Sequence, residues 1–226
     1  NTIDFSIDVS STGKLWFNRN DRLAFTSVAS NPFNDSPQYY TAYLKGGNCG
    51  NDPVEVSVFS GGKVFVGDVS VSNTADLIIS DNAVLEIRNN GELKVEDYSR
   101  IIVRDGGSIV FYTGSFTDFR PYSELIIEDG GSVVIASNST VRFSHAQLFV
   151  RDGGSLSINQ NANIQLWSGT DPLGDSKIHV LSGGELEWFG TPVLSGNGHF
   201  AFDEGFIFSL YSDFEISGEN IAYRII

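Results

Sequence analysis

Apolar and polar positions alternate along most of the chain in short segments that recur with nearly the same sequence. The segment Ile-Ile-Val-Arg-Asp-Gly-Gly-Ser-Ile-Val-Phe at 101–111 returns at 125–135 and 148–158, with altered copies at 77–87 and 178–188. The starts of successive segments are separated by 24, 24, 23 and 30 residues. A nearly fixed period in this range indicates stacked structural repeats.

Each repeat predicts three short β-strands. The apolar residues alternate with a period of two, as in Leu125 and Ile127 before the turn and Val133 and Ile135 after it. Asp-Gly-Gly between them favours a turn, because glycine adopts positive φ without steric cost and Asp bonds its own following backbone. Three strands and three turns in such a period describe one coil of a parallel β-helix, with copies of each strand about 4.8 Å above and below.

We therefore predict an all-β chain with one domain over residues 1–226. The fold is a single-stranded, right-handed parallel β-helix (β-solenoid) of about eight coils of about 22–24 residues, each with three short strands; its hand follows the general rule for parallel crossovers. An irregular excursion is predicted at 26–53, and loops are predicted at 112–124 and 167–177. Residues 199–226 are predicted to form a last coil and cap, because open solenoid ends expose unpaired strands.

The repeated phrase, [Leu/Ile]-x-Val-x-Asp-Gly-Gly-x-[Leu/Val]-x-Ile, resembles the β-helical repeats of large exported bacterial surface proteins, including adhesins of the Bacteroidota type. The resemblance covers residues 54–216. It is specific for architecture and uninformative about function, since β-helices carry many unrelated activities. It implies a secreted or cell-surface rod that spaces or presents a binding surface.

Composition narrows the class of partner. The chain has 28 acidic and 14 basic residues and a net charge of −14, which argues against nucleic acid and anionic membrane surfaces. No apolar run is long enough to predict membrane insertion. Cys49 is the only cysteine, so an internal disulfide is excluded. The absence of methionine suggests a processed product or an excised piece, and processing favours export.

One candidate contact surface is an apolar ladder on the outside of the coils. If Leu77 and Ile79 point inward, the residue between them points outward, and the same holds in the coils that follow. The predicted ladder consists of Ile78, Ile102, Ile126 and Phe149. An exposed apolar stripe marks a contact site. The alternatives are a cover formed by the excursion at 26–53 or the segment 112–122, or a wrong assignment of inward and outward positions.

A second candidate surface consists of aromatic residues in the predicted loops: Tyr112, Phe116, Phe119, Tyr122 and Trp167. The loops at 31–44, 112–122 and 167–176 leave different coils, and we expect them to gather on one side. Aromatic side chains with nearby Asp and Asn suit stacking on a sugar or contact with a protein. The predicted partner is a glycan or another surface protein, with a homo-oligomeric spike as an alternative.

The repeated turn also places an aspartate at one position in four coils: Asp81, Asp105, Asp129 and Asp152. Carboxylates stacked about 5 Å apart repel one another and favour Ca²⁺, although each also suits an Asx turn in solvent. We predict no cofactor, with calcium as the weaker alternative. The flanking Arg104, Glu128 and Arg151 alternate in charge and predict ion pairs between coils.

The residues typical of enzymes are sparse. A glycosidase needs two carboxylates across a cleft, and polygalacturonase-like enzymes carry Asn-Thr-Asp, Asp-Asp and Gly-His-Gly. This chain has Asn73-Thr74-Ala75 and a Gly198-His199 that no glycine follows. The sequence thus favours a non-catalytic protein, with a polysaccharide-active β-helix enzyme (lyase or hydrolase) as the alternative.

Overall fold

The structure is a computed structural model of the 226-residue chain. It describes residues 75–168 and 175–211 continuously, and six strands beyond them: Lys14–Phe17, Arg22–Phe25, Tyr40–Lys45, Glu55–Val58, Lys63–Val66 and Ala222–Ile225. The described part contains β-strands and turns, and no helix in it is long and apolar enough to span a membrane.

The strands, numbered in chain order, form three parallel sheets. Sheet A contains β1 (Lys14–Phe17), β4 (Glu55–Val58), β7 (Val84–Ile87), β10 (Ser108–Phe111), β13 (Ser132–Ile135), β16 (Ser155–Ile158), β19 (Glu185–Trp188) and β22 (Ile207–Leu210). Sheet B contains β2 (Arg22–Phe25), β5 (Lys63–Val66), β8 (Glu92–Val95), β11 (Phe116–Phe119), β14 (Thr140–Ser144), β17 (Asn163–Trp167) and β20 (Val193–Gly196). Sheet C contains β3 (Tyr40–Lys45), β6 (Ala75–Ser80), β9 (Arg100–Val103), β12 (Glu124–Ile127), β15 (Gln147–Val150), β18 (Lys177–Val180), β21 (His199–Phe202) and β23 (Ala222–Ile225).

The predicted stacking of repeats is confirmed by the register of the strands. Leu125 in β12 pairs with Ile101 in β9 on one side and with Leu148 in β15 on the other. Each strand therefore has its copy from the next repeat as its neighbour in a parallel sheet. The fold is a parallel β-solenoid with three strands per coil; its right hand stays a prediction.

The number of coils differs from the predicted count of about eight. Five complete coils follow one another between Val84 and Phe202. Strands of further rows extend the sheets at both ends, so that sheets A and C have eight strands and sheet B has seven among the described residues.

Each coil is built from three eight-residue units, a pattern finer than the repeat seen in the sequence. A unit is a four-residue strand followed by a four-residue turn, as in β7 and residues 88–91, and three units make 24 residues. The strands of sheet A from β7 to β22 begin 24, 24, 23, 30 and 22 residues apart. The three deviations arise at the connections from sheet B to sheet C.

The core is one column of side chains that point inward from all three sheets. In most strands burial alternates, so that the second and fourth residues are buried and the first and third are partly exposed. Aliphatic residues dominate, and Phe119 and Phe143 stack inside with ring centroids 4.7 Å apart. Burial of these ladders is the main favourable contribution to folding.

The edge where sheet C turns into sheet A, here called the glycine edge, explains the Asp-Gly-Gly phrase. The first glycine adopts positive φ, 78° at both Gly106 and Gly130. The second lies against the coil below: an ideal Cβ on Gly131 would overlap the carbonyl oxygen of Val103. One glycine is thus required by conformation and the next by space.

The prediction of a loop at 112–124 is wrong. Residues 116–119 form the regular strand β11, which pairs in register with β8 and β14, and β12 begins at Glu124. Pro121 and Tyr122 occupy an ordinary four-residue turn, with Tyr122 at φ 60°. The aromatic residues and the proline obscured a period that the backbone keeps.

The other predicted irregular segments are described in part. Within 26–53 only the strand β3 is described. In the predicted loop at 167–177, residues 169–174 lie outside the described residues. Within 199–226 the chain forms β21 and β22, and β23 pairs with β21; residues 212–221 lie outside the described part.

Candidate functional site

The four residues of the predicted apolar ladder do share one column on the outer face of sheet C. Ile102 pairs with Ile78 and Ile126, and Ile126 pairs with Phe149. Ile78 is 8% exposed and Ile126 is 3% exposed, while Ile102 and Phe149 are half-buried. The expectation of an exposed apolar stripe is therefore wrong.

Charged side chains on both sides of the column account for this burial. On one side Arg100 holds the Asp76 carboxylate with two bonds, of 2.9 and 2.6 Å. On the other side Arg151 reaches Glu128 of the neighbouring coil at 2.9 Å, as the alternation of charge predicted. Long side chains lay their methylene groups along apolar surface and keep the charge in water. Arg104 departs from the expected pattern and pairs with Asp105 of its own turn at 3.3 Å.

The structure places the five predicted aromatic residues in different environments. Phe119 lies in the core against Phe143, so it contacts no partner. Phe116 is half-buried on the outer face of sheet B, where the Arg142 guanidinium lies 5.1 Å from its ring centroid. Phe119 is thus a core residue, and Phe116 packs against Arg142 on the outer face.

Tyr112 is also engaged within the fold. Its hydroxyl donates to Glu86 Oε1 at 3.0 Å, and the Arg88 guanidinium lies 4.6 Å from its ring centroid. Tyr122 and Trp167 are the two predicted aromatic residues that remain exposed, at 37% and 48%.

These two exposed residues lie on the same edge of the solenoid, where sheet B turns into sheet C. This aromatic edge consists of residues from four successive rows: Tyr98, Tyr122, His145 and Trp167. Backbone hydrogen bonds join the rows, from Tyr98 N to the oxygen of Pro121 at 3.1 Å, from Tyr122 N to that of His145 at 2.8 Å, and from His145 N to that of Trp167 at 2.9 Å.

Two rings of the aromatic edge stack along the rod. Tyr98 and Tyr122 stack with centroids 4.6 Å apart and planes 11° apart, and Tyr98 is 55% exposed. Tyr98, Tyr122 and His145 adopt φ of 60°, 60° and 55°. Sequence reasoning missed Tyr98, although its place as third residue of an eight-residue unit's turn is a usable signal.

The aromatic edge is also the edge where connections vary in length. From Val84 to Leu210, four residues separate the strands at each turn of the other two edges. At the aromatic edge the connections contain four, four, two, nine and two residues. Insertions in a solenoid commonly map to one face, and that face is often the binding face.

The base of the longest connection holds Trp167 in place. Ser176 Oγ donates to the oxygen of Trp167 at 2.7 Å, and Ser176 N donates to Ser168 Oγ at 2.7 Å. Ser168 N in turn donates to Asn197 Oδ1 at 2.7 Å. The exposed indole thus stands on a backbone fixed by hydrogen bonds.

A buried carboxylate fixes the charges beside this edge. Asp118, 3% exposed, accepts a hydrogen bond from Arg142 Nε at 2.9 Å, and Arg120 Nε lies 3.5 Å from its other oxygen. The hydrogen bond to Asp118 and its charge raise the pKa of Arg142, although burial acts in the opposite direction. The guanidinium therefore stays charged throughout the neutral range.

The four turn aspartates lie in their predicted column but differ in their contacts. Asp81, Asp105 and Asp129 adopt positive φ. Asp105 pairs with Arg104, whereas the carboxylate of Asp152 lies over Gly183. Among the residues that the structure describes, no three His, Cys, Asp or Glu side chains are grouped as a metal site would require.

Comparison with known proteins adds little to this geometry. No protein-family model matches the chain, and no curated protein matches it. The chain is similar to a solved structure titled as a TibC-catalysed, hyper-glycosylated TibA fragment, with 15% identity over 93% of this chain and 96% of that one, at a TM-score of 0.18. A likeness at that TM-score supports no conclusion about function. The structure defines a parallel β-solenoid that exposes Tyr98, Tyr122 and Trp167 on the edge between sheets B and C.

Proposed function

We propose that the chain is a non-catalytic, adhesin-like rod of a secreted or cell-surface protein, and that it binds a glycan or another surface protein through the aromatic edge. The observation that carries the proposal is the row of exposed rings, Tyr98, Tyr122 and Trp167, on one edge of the rod. Exposed aromatic side chains with an apolar body and a polar tip are common at binding surfaces.

The stiffness of the edge supports a role in binding. Tyr98, Tyr122 and His145 each donate a backbone hydrogen bond to the next row. A surface ordered in this way loses little conformational entropy when a ligand binds. A flexible loop with the same residues would lose conformational entropy each time a ligand binds.

Two acidic groups near the edge support a non-catalytic role. A glycosidase needs two carboxylates that face each other across a cleft. Asp76 and Asp118 are instead held by Arg100 and Arg142 at hydrogen-bond distance. The excess of 28 acidic over 14 basic residues also suits a rod that stays apart from its neighbours.

The experiment measures retention and turnover together. The full chain is passed over immobilised xylan, cellulose, mannan, mucin and pectin, and over surface-protein preparations, while released reducing ends and unsaturated products are assayed. We expect retention on at least one surface without product. Trp167→Ala should weaken retention about tenfold, the scale of one lost aromatic contact.

A matched control is Tyr211→Ala, because Tyr211 is 60% exposed and stacks on Phe189, away from the aromatic edge. Its retention should equal that of the parent chain. Product release, or equal losses in the two variants, would contradict the proposal.

A further inference from the structure

We infer that the ligand of the aromatic edge is an uncharged linear polysaccharide that lies parallel to the rod axis, with one sugar unit beside each coil. This inference rests on the proposed function and adds the class and direction of the ligand. It starts from the spacing of the rows.

The rows of the aromatic edge follow one another at the strand spacing, and Trp167 pairs with Ser144, the residue before His145. Adjacent strands of a sheet lie about 4.8 Å apart, so Tyr98 and Trp167, three rows apart, are separated by about 14 Å along the axis. The centroid separation of 4.6 Å between Tyr98 and Tyr122 shows that these two side chains keep this step. A ligand that contacts successive rows in the same way must repeat at nearly the same distance.

This step distinguishes a sugar chain from a peptide. An extended peptide advances about 3.3 Å per residue and about 6.6 Å between side chains on one face, and neither value matches a step of about 4.8 Å. An extended chain of pyranose units advances about 5 Å per unit, which is close to the strand spacing of a sheet. A sugar chain therefore stays in register over four rows, whereas a peptide strand does not.

The groups at the edge suit sugar chemistry. The exposed Trp167 indole offers an apolar face to the C–H groups of a pyranose. Tyr98 and Tyr122 are stacked face to face and offer their ring edges. The Tyr98 hydroxyl and the Trp167 indole N–H make no hydrogen bond within the part of the chain that the structure describes, and Asp97 adds a partly exposed carboxylate in the turn of Tyr98. The chain's net charge of −14 opposes an acidic polysaccharide, so the ligand is uncharged.

The test measures affinity against ligand length. Oligomers of one to six units of β-1,4-linked glucose, mannose and xylose are titrated into the full chain by calorimetry. For at least one series we expect no measurable binding of the monomer, affinity that rises with each added unit up to four, and no further gain beyond four. A fourfold or larger gain per unit would match one new ring contact per row.

Variants show whether the gain belongs to the edge. Trp167→Ala should lower the affinity for the tetramer about tenfold and end the rise at three units, while Tyr211→Ala leaves the series unchanged. Tyr122→Phe keeps the ring stack, so its circular dichroism should equal that of the parent; a modest loss of affinity there reports the hydroxyl alone.

Three results would overturn the inference. The first is equal affinity for monomer and hexamer, which leaves binding by the edge intact but removes the lengthwise arrangement. The second is no binding by any of the three series, even if the chain is retained on an immobilised protein. The third is the same loss in Tyr211→Ala as in Trp167→Ala.

Discussion

The glycine edge and the aromatic edge both contain residues in the left-handed conformation, but the first uses glycines where the second uses tyrosines. On the glycine edge φ is 78° at Gly106 and Gly130, where no Cβ is present. On the aromatic edge Tyr98 and Tyr122 adopt φ of 60° with full side chains. Left-handed backbone costs an L-residue about 1–2 kcal/mol, so the two tyrosines carry a strain that the two glycines avoid. Asp105 and Asp129 beside those glycines also adopt positive φ, 51° and 48°, a conformation that Asp tolerates better than most residues.

Stacking of the two rings stabilises the fold by less than the left-handed backbone costs. An aromatic pair contributes about 0.5–1.5 kcal/mol beyond its buried area, whereas two strained tyrosines cost about 2–4 kcal/mol together. Glycine is thus the less strained residue at this φ, and Tyr98 and Tyr122 stand where a glycine would cost less. A departure that keeps exposed rings in a row is expected where a surface serves binding.

The largest expected effect comes from adding one methyl group to the glycine edge. In Gly131→Ala the new Cβ would overlap the backbone oxygen of Val103 in the coil below. Because backbone on both sides must shift, we expect a loss of about 3 kcal/mol of stability. Urea denaturation followed by circular dichroism measures the change.

The matched change on the aromatic edge is Ser123→Ala, at the same place in the unit. Ser123 is fully buried, and its hydroxyl donates to the oxygen of Arg120 at 2.6 Å. Loss of that bond should cost about 1 kcal/mol. Equal losses in the two variants would show that the glycine edge is not the tighter of the two.

A smaller difference in stability is expected between variants of two arginines, Arg142 near the aromatic edge and Arg151 on the glycine edge. Arg142→Gln removes the charged donor from Asp118, which is 3% exposed, and should cost about 2 kcal/mol. Arg151→Gln breaks an exposed pair with Glu128 and should cost about 0.5 kcal/mol or less.

Salt and pH sharpen the contrast between the two arginines. At 1 M NaCl the effect of Arg151→Gln should vanish, while that of Arg142→Gln persists, because buried pairs are screened less. Since the pKa of Arg142 is raised in the folded chain, its contribution is complete at neutral pH and is lost only as pH rises through that pKa. If the loss of stability in Arg142→Gln disappears in salt, Asp118 is exposed to solvent and not buried.

The architecture could be predicted from the sequence because few residues encode it repeatedly. Alternating aliphatic positions and the Asp-Gly-Gly turns, at a nearly constant step, allow one parallel stack of coils. The segment 112–124 was mispredicted because its composition resembles a loop. Its pattern does not: Thr117 and Phe119 point inward as Leu93 and Val95 do in the coil below.

The surface was harder to predict because exposure depends on neighbours that the alternation does not show. Ile126 points outward as predicted, yet flanking Glu124 and Glu128 and the ladder itself leave it 3% exposed. Tyr98 gave no signal in a search for apolar periodicity, since it stands in a turn. Only the eight-residue unit aligns it with Tyr122.

The smallest effect tests the strain on the aromatic edge directly. Tyr122→Ala removes the stack on Tyr98 but keeps a Cβ at φ 60°, so stability should fall by about 1 kcal/mol. Tyr122→Gly loses the same stack and relieves the strain, and should lie within about 0.5 kcal/mol of the parent chain. Urea denaturation of both variants measures the difference. If the glycine variant is the less stable of the two, the left-handed turn costs nothing at this edge, and strain no longer supports a binding role for its rings.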